Sequence, residues 1–352
     1  MDRVRVRDDL ADVEPYGAPQ LDVPVRLNTN EMPFRPPEAF FTQLAQRVAA
    51  LDLHRYPDRR AWALRTALGR RFELPPERVW AANGSNEVLL QLFQAYGGPG
   101  RTVLLPVPGY SAHPLIARVA NTEAVYLDTV ADGFALTADN AAAQARRAAP
   151  DIICLASPNN PTGMTVDAEA IRALHDAGRA LVIVDEAYVE FGGESAVALL
   201  DDLPRLVVCR TFSKAWRLAG LRLGYLLGHE WVIDDLRKVR LPYHLDALTQ
   251  TAGLLALELA DEVTEHVAAL SSERDRLYEA LAGVGGVEVW PSAANFLLFR
   301  TDVADLFDRL LAKGVLIRDF SRSQGLDRCV RVSVGTREEN DTFLSALREC
   351  LQ

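Results

Sequence analysis

The sequence has few of the residues on which metal and disulfide sites depend. Its 352 residues include four cysteines and six histidines. The cysteines lie far apart without a CxxC spacing, and three stand in or beside apolar runs, which indicates reduced, structural thiols. No HExxH, GxSxG or GxGxxG pattern is present, so zinc hydrolase, serine hydrolase and dinucleotide-binding interpretations lack support. We therefore expect no metal site.

Positive charge and long apolar runs are also scarce. The 38 lysines and arginines against 48 acidic residues give a formal net charge of −10, and no basic run stands out. This balance argues against a nucleic-acid or anionic-membrane partner. No apolar run approaches membrane-spanning length, and the first ten residues lack the apolar core of a signal peptide. We expect a cytoplasmic protein that binds small molecules.

What is present is an alternation of short apolar runs and helical patterns. Such alternation predicts βαβ units and a mainly parallel sheet. The predicted strands of this part are residues 103–105, 124–127, 152–156, 181–184, 206–209 and 223–227. The later part of the chain predicts helices over residues 246–258, 261–282 and 338–351, and strands over residues 287–290, 295–300, 315–320 and 329–334.

The chain is longer than a single average core requires, which favours more than one domain. We predict an α/β fold with three parts. An N-terminal arm comprises residues 1–37. A large domain, with a mainly parallel sheet flanked by helices, comprises residues 38–245, and a smaller α+β C-terminal domain comprises residues 246–352.

One lysine stands where a predicted buried strand ends in a hydroxyl-rich, cationic turn. This residue is Lys214, and the turn follows the apolar run 206–209. Partial burial of a lysine favours its neutral, nucleophilic amine, which can form a Schiff base with an aldehyde cofactor. Thr211, Ser213 and Arg222 offer donors suited to a phosphate group. An exposed lysine in an ordinary turn is the alternative, and three other segments argue against it.

The first segment is the apolar run 180–184, which ends in Asp185, Glu186 and Tyr188. Ligands of parallel sheets bind at the carboxyl ends of the strands. An aspartate there can keep the ring nitrogen of a pyridine cofactor protonated, and a tyrosine can donate to its phenolate oxygen. Asp185 and Tyr188 fit these two roles.

The other two segments supply further donors. Residues 157–163 follow a predicted strand and pack turn-forming residues around two amides, of which Asn159 is interpreted as a second donor to the phenolate oxygen. Ser85 and Asn86 begin a predicted helix, whose unpaired N–H groups suit a phosphate.

Taken together, these stretches resemble the fold-type I pyridoxal-phosphate aminotransferases, and more narrowly the histidinol-phosphate aminotransferases. The resemblance extends along almost the whole chain. Besides the Lys214 turn, it rests on residues 27–31 (Leu-Asn-Thr-Asn-Glu), 55–58 (Arg-Tyr-Pro-Asp), 159–163 (Asn-Asn-Pro-Thr-Gly), 184–188 (Val-Asp-Glu-Ala-Tyr) and 329–336 (Cys-Val-Arg-Val-Ser-Val-Gly-Thr).

The resemblance implies a pyridoxal 5′-phosphate enzyme of histidine biosynthesis. Its reaction would transfer an amino group from L-histidinol phosphate to 2-oxoglutarate, giving imidazole-acetol phosphate and glutamate. Tyr110 would cover the cofactor ring. Tyr56 would reach the cofactor phosphate of the neighbouring subunit in a homodimer with shared sites.

The resemblance also implies which residues contact the substrate, namely Tyr16, Asn30, Arg318 and Arg331. Arg318 stands thirteen residues before Arg331, so two adjacent strands could aim both guanidinium groups at one anion. Three alternatives stay open. They are an aromatic amino-acid aminotransferase, a threonine-phosphate decarboxylase and a non-enzymatic cofactor sensor, against which the acidic charge and the absence of a DNA-binding segment argue.

Overall fold

The computed structural model describes residues 4–13, 15 and 17–352. Its strands are β1 (Val25–Arg26), β2 (Val79–Ala82), β3 (Thr102–Val107), β4 (Glu123–Asp128), β5 (Ile152–Ala156), β6 (Leu181–Asp185), β7 (Leu206–Thr211), β8 (Gly224–Leu227), β9 (Val287–Val289), β10 (Phe296–Thr301), β11 (Val315–Leu316), β12 (Arg318–Asp319) and β13 (Cys329–Ser333).

The helices lie between and after these strands. They are α1 (Glu38–Ala49), α2 (Trp62–Arg70), α3 (Ser85–Tyr96), α4 (Ala112–Val119), α5 (Ala138–Ala148), α6 (Ala168–Asp176), α7 (Glu230–Val239), α8 (Ala247–Glu258), α9 (Asp261–Ala282), α10 (Leu306–Ala312) and α11 (Arg337–Cys350). Short 3-10 helices occur as well, among them Val189–Phe191 and Ala219–Leu221.

A seven-stranded sheet in the order β2-β8-β7-β6-β5-β3-β4 occupies the first two thirds of the chain. The strands from β7 to β4 pair in parallel, whereas β8 pairs antiparallel with both of its neighbours. Successive residues of β6 pack into two different apolar clusters, Val182 and Val184 into one, Leu181 and Ile183 into the other. Both faces are therefore covered, which explains the unbroken apolar runs and confirms the mainly parallel sheet flanked by helices.

A second sheet, antiparallel and four-stranded, has the order β12-β13-β10-β9. One prediction about it was wrong, because residues 315–320 do not form a single strand. β11 pairs in parallel with β1, while β12 pairs with β13. The chain switches partners at Ile317, and the N-terminal segment supplies the other partner.

The four cysteines are buried and free. No helix within residues 4–13, 15 and 17–352 is long and apolar enough to cross a membrane. The division into an arm, a large domain and a small domain stays a prediction.

Candidate active site

A cavity of about 160 Å³ opens where the strands β5, β6 and β7 end. In parallel strands all carboxyl ends lie at one edge, so the residues that follow each strand converge there. The N-terminal segment and the antiparallel sheet close the other side. The polar residues that line the cavity are Asn28, Thr29, Asn30, Ser85, Asn86, Tyr110, Ser111, Asn160, Asp185, Tyr188, Thr211, Ser213, Lys214, Arg222, Arg318 and Arg331.

Lys214 reaches this cavity from the turn that follows β7. Its Nζ donates a hydrogen bond to the carbonyl oxygen of Thr29 at 2.7 Å. The same Nζ lies 5.6 Å from the centroid of the Tyr188 ring. The side chain is half-buried. The amine therefore lies inside the cavity, between the large sheet and the N-terminal segment, with a position that allows contact with a bound molecule.

The start of α3 forms an anion cradle together with Arg222. Ser85 and Asn86 are the first residues of the helix, whose opening N–H groups have no acceptor within the helix. A Cβ at Gly84 would lie 2.7 Å from an Arg222 nitrogen, and a Cβ at Gly224 would lie 2.2 Å from the Ser85 nitrogen. Gly84 also has a φ of +81°, which favours glycine. The two glycines thus permit the helix start, β8 and the guanidinium group to approach closely.

Two hydroxyl groups complete the cradle. The Thr211 hydroxyl donates to Ser213 Oγ at 3.0 Å, and the Arg222 guanidinium donates to the same oxygen at 3.1 Å. Because Ser213 Oγ accepts both bonds, its own proton is available for a further acceptor. A helix start, an arginine and a serine hydroxyl then point at one place, which suits a phosphate group.

Asp185 lies at the end of β6 and is 3% exposed. His113 Nε2 lies 3.4 Å from its Oδ2, and the Ala187 N–H donates to its Oδ1 at 3.2 Å. Burial alone would lower the pKa of His113, but the Cys154 sulfur and the Asp185 carboxylate raise that pKa above its ordinary value. A protonated His113 would thus form an ion pair with the Asp185 carboxylate.

Sequence reasoning missed His113, although its position carried a signal. His113 stands three residues after Tyr110 at the start of α4, and the two rings meet edge to face with centroids 5.2 Å apart. Tyr110 precedes the helix, and the His113 N–H donates to the Tyr110 carbonyl oxygen at 3.0 Å, so the turn that opens α4 holds the two residues together. His113 does not line the cavity itself but contacts Asp185, which does.

The structure places Asn159 outside the cavity lining, and this corrects the interpretation of that residue. The Asn159 amide donates to Thr162 Oγ1 at 2.8 Å and to the Pro108 carbonyl oxygen at 3.1 Å, so it holds the turn together. Asn160 lines the cavity instead, and its amide donates to the Tyr188 hydroxyl at 3.5 Å. The two adjacent asparagines were indistinguishable in the sequence.

A buried polar network surrounds the Tyr188 hydroxyl. The Asn30 amide donates to it at 3.0 Å. Burial raises the pKa of Tyr188, and the nearby Arg331 guanidinium partly offsets this. The pKa of Tyr188 is raised overall, so the phenol is neutral at ordinary pH. Tyr188 and Asn30 therefore lie together in the cavity lining.

Arg318 and Arg331 are direct partners across the β12–β13 pair, and both line the cavity. Arg331 is 5% exposed; it donates to the Asn160 side-chain oxygen and, at 2.7 Å, to the Asn28 carbonyl oxygen. Arg318 donates to the Gly17 carbonyl oxygen at 3.2 Å. The guanidinium group of Arg331 lies 5.0 and 5.4 Å from the ring centroids of Phe296 and Phe320. Rings and carbonyl oxygens thus hold two cations beside one cavity.

One predicted site residue lies elsewhere, and another is outside the residues that the structure describes. Tyr56 is 79% exposed and stacks on Tyr243, with ring centroids 4.3 Å apart, away from the cavity of its own chain. Tyr16 lies outside the described residues, so its predicted contact with substrate stays a prediction.

Comparison with known proteins agrees with this geometry. Residues 23–347 match the family described as aminotransferase class I and II. The chain belongs to the class I and II aminotransferases. Two curated relatives named histidinol-phosphate aminotransferase are similar to it. The relative from Mycobacterium avium is 49% identical over 98% of this chain and 88% of its own length, and that from Mycobacterium marinum is 48% identical over 98% and 92%.

A solved structure is similar to this aminotransferase as well. It is the histidinol-phosphate aminotransferase from Sinorhizobium meliloti in complex with pyridoxal-5′-phosphate. The two chains share 25% of their residues and superpose with a TM-score of 0.88 over 99% of this chain and 97% of the other. The fold-type I architecture of this aminotransferase is thereby confirmed.

The cavity of this aminotransferase fits the same cofactor. The cradle of Ser85, Ser213 and Arg222 suits its phosphate, and Asp185 suits a protonated ring nitrogen. Lys214 supplies the amine that an aldehyde requires. The donor set therefore contains a partner for each polar group of a pyridoxal phosphate.

Proposed function

We propose that this aminotransferase uses pyridoxal 5′-phosphate to transfer an amino group from L-histidinol phosphate to 2-oxoglutarate, giving imidazole-acetol phosphate and glutamate. The main observation in support of this substrate is the pairing of Arg318 with Arg331, which both line the cavity that contains Lys214. The names of the relatives support it, at 49% and 48% identity. A role in histidine biosynthesis follows from this reaction.

The cofactor, when bound, supplies a ring that accepts electrons from the carbon carrying the substrate's amino group. Ser85, Asn86, Thr211, Ser213 and Arg222 would hold its phosphate. Tyr110 would lie against its ring. Asp185, assisted by His113, would keep a proton on the ring nitrogen, while Tyr188 and Asn160 would bind the ring oxygen.

Lys214 would carry out the proton transfer. Its amine is within a cavity in which the Thr29 carbonyl oxygen and the Tyr188 ring fix its direction. When it is not bonded to the cofactor, it would remove the proton from the amine-bearing carbon of the substrate and return a proton to the carbon that carries the cofactor's aldehyde group. A single lysine can serve both steps of this transfer because its amine is half-buried and held in position.

Arg318 and Arg331 would bind the phosphate of histidinol phosphate and, in the other half of the cycle, a carboxylate of glutamate. Two like charges side by side are costly unless an anion lies between them. A phosphate dianion can accept hydrogen bonds from both planar guanidinium groups at once. This arrangement favours a phosphate ester over the corresponding alcohol.

We extend the proposal to a cytoplasmic homodimer with shared sites. Tyr56 is exposed and stacks on Tyr243. Tyr243 is itself exposed, as is Leu241, two residues before it in the sequence. An exposed apolar surface of this kind suits a contact with a second copy. In that contact Tyr56 would reach the cofactor phosphate of the partner subunit.

A panel of amino donors tests the substrate. The purified protein is loaded with cofactor and assayed with 2-oxoglutarate and each of L-histidinol phosphate, L-histidinol, phenylalanine, tyrosine and phosphothreonine. We expect kcat/KM for the phosphate ester to exceed that for histidinol by at least about a hundredfold, since each charged hydrogen bond contributes about 1.5–3 kcal/mol. Faster turnover of phenylalanine or tyrosine would identify an aromatic aminotransferase. Carbon dioxide release from phosphothreonine would identify the decarboxylase.

A further inference from the structure

Ser333 is the last residue of β13 and lies beneath the cavity, 3% exposed. Its hydroxyl oxygen accepts a hydrogen bond from the backbone N–H of Asn30 at 2.9 Å and donates to the Asn30 side-chain oxygen, also at 2.9 Å. Ser333 itself does not line the cavity. A short polar side chain from the antiparallel sheet thus holds an asparagine of the N-terminal segment at two points.

These two bonds decide which way the Asn30 amide faces. A serine hydroxyl has one proton, and here the accepted backbone bond leaves that proton for the Asn30 oxygen. The Asn30 NH₂ group must then face the opposite way, where it donates to the Tyr188 hydroxyl at 3.0 Å. The backbone of Asn30 is fixed as well, since its carbonyl oxygen accepts from the Asn295 amide at 3.1 Å.

A second amide donates to the same phenol, and an arginine fixes its direction. The Asn160 NH₂ group donates to the Tyr188 hydroxyl at 3.5 Å, while the Asn160 oxygen accepts from Arg331. Arginine has no acceptor, so the oxygen of Asn160 must face it. Two amides therefore donate to one phenol oxygen, and the phenol proton must be donated elsewhere.

We propose that Ser333 is a positioning residue, which orients the Asn30 amide and so reserves the Tyr188 proton for an oxyanion of the ligand in the cavity. This rests on the proposed function, in which that oxyanion is the ring oxygen of pyridoxal phosphate. Without the Ser333 hydroxyl, the Asn30 amide can turn over and present its oxygen to Tyr188. The phenol proton then binds Asn30, and the cofactor loses a donor.

The pH dependence of the visible absorbance of the bound cofactor reports this donor. A hydrogen bond from Tyr188 stabilises the deprotonated, anionic form of the cofactor, so its loss raises the pH midpoint of the absorbance change. The charged groups that also act on Tyr188 are Arg331, Asp185 and Lys214. Ser333→Ala leaves all three in place, so a shift in the midpoint can be attributed to the Asn30 amide and the Tyr188 phenol.

The experiment compares single and double variants of the loaded enzyme. We expect Ser333→Ala to raise the midpoint by about one pH unit, since one charge-assisted hydrogen bond corresponds to about one pKa unit. Ser333→Thr keeps the hydroxyl and should restore the midpoint. Thr301→Ala is the matched control, because it removes another buried hydroxyl of the same sheet, whose partner among the described residues is the Val303 N–H at 3.2 Å. It should leave the midpoint unchanged.

The double variant Ser333→Ala/Tyr188→Phe separates positioning from a purely structural role. If Ser333 acts through Tyr188, its loss has no further effect on the midpoint once the phenol is gone. An unchanged midpoint in Ser333→Ala, or additive shifts in the double variant, would overturn the proposal. Failure of the proposed function looks different: a wrong substrate appears in the amino-donor panel with the visible band intact, and a wrong cofactor leaves the unaltered protein without a visible band in the presence of pyridoxal phosphate.

Discussion

Removal of the Arg318 guanidinium should impair the reaction of histidinol phosphate far more than that of glutamate. Among the described residues, Arg318 donates to one acceptor, the Gly17 carbonyl oxygen at 3.2 Å, so four of its five N–H groups are left for an anion in the cavity. Arg331 is a poorer probe because it also holds Asn160 and the Asn28 carbonyl oxygen. Arg318→Ala therefore perturbs the substrate side with little effect on the cofactor side.

The magnitude follows from the number and exposure of the bonds that are lost. A planar fork donates two charged hydrogen bonds to a phosphate, and Arg318 is half-buried, which places each bond at the lower end of the usual range, about 1.5 kcal/mol. The sum is about 3 kcal/mol, or on the order of a hundredfold in kcat/KM. Glutamate presents a singly charged carboxylate, for which Arg331 remains, and we expect about a tenfold loss.

Steady-state kinetics of both half-reactions measure the difference. Arg318→Lys keeps the charge without the fork and should recover only part of the activity. Arg322→Ala removes an exposed arginine that lies outside the cavity lining and should match the unaltered enzyme. Equal losses for histidinol phosphate and glutamate, with the fold intact by circular dichroism, would refute the assignment of Arg318 to the phosphate.

Three other predictions address the catalytic groups and the assembly. Borohydride should fix pyridoxal phosphate onto Lys214, and Lys214→Ala should abolish turnover; peptide mapping that finds the label on another lysine contradicts this. Asp185→Asn should keep the fold but lower kcat at least about a hundredfold, as for other catalytic electrostatic partners, and near-normal turnover would make the carboxylate structural. Mixed Lys214→Ala and Tyr56→Phe subunits should regain activity above that of either homodimer, because one site of the heterodimer carries neither defect; no recovery after proven subunit exchange argues against shared sites.

Much of the large sheet could be predicted because strands that are buried on both faces appear in the sequence as unbroken apolar runs. The run before Asp185 is apolar at every position, and β6 is buried throughout. Once such strands are parallel, the residues after them must meet at one edge. Lys214, Asp185 and Tyr188 accordingly line one cavity. The helix α9 was also predicted with its observed bounds, Asp261–Ala282.

The wrong predictions concern segments whose structure depends on a residue distant in the sequence or on the conformation of a turn. The run 315–320 has no break in its pattern, yet Val315 pairs with Val25, which no local signal reveals. Asn159 and Asn160 are chemically identical, and only the Thr162 hydroxyl and the Pro108 carbonyl oxygen select the first of them for the turn. An arginine in an alternating strand is usually solvated, whereas Arg331 is buried because two rings and the Asn28 carbonyl oxygen surround it.

The bonds between Asn30 and Ser333 join residues 303 positions apart. β13 pairs with both β10 and β12, so the antiparallel sheet cannot be completed before β13 has been synthesised. On a translating ribosome, the segment around Asn30 emerges early and has no partner until β13 has been synthesised. The large sheet can form before that, with Asp185 and the phosphate cradle already in place. A nascent chain would thus acquire its cofactor side first, and Arg331, which is proposed to bind substrate, last.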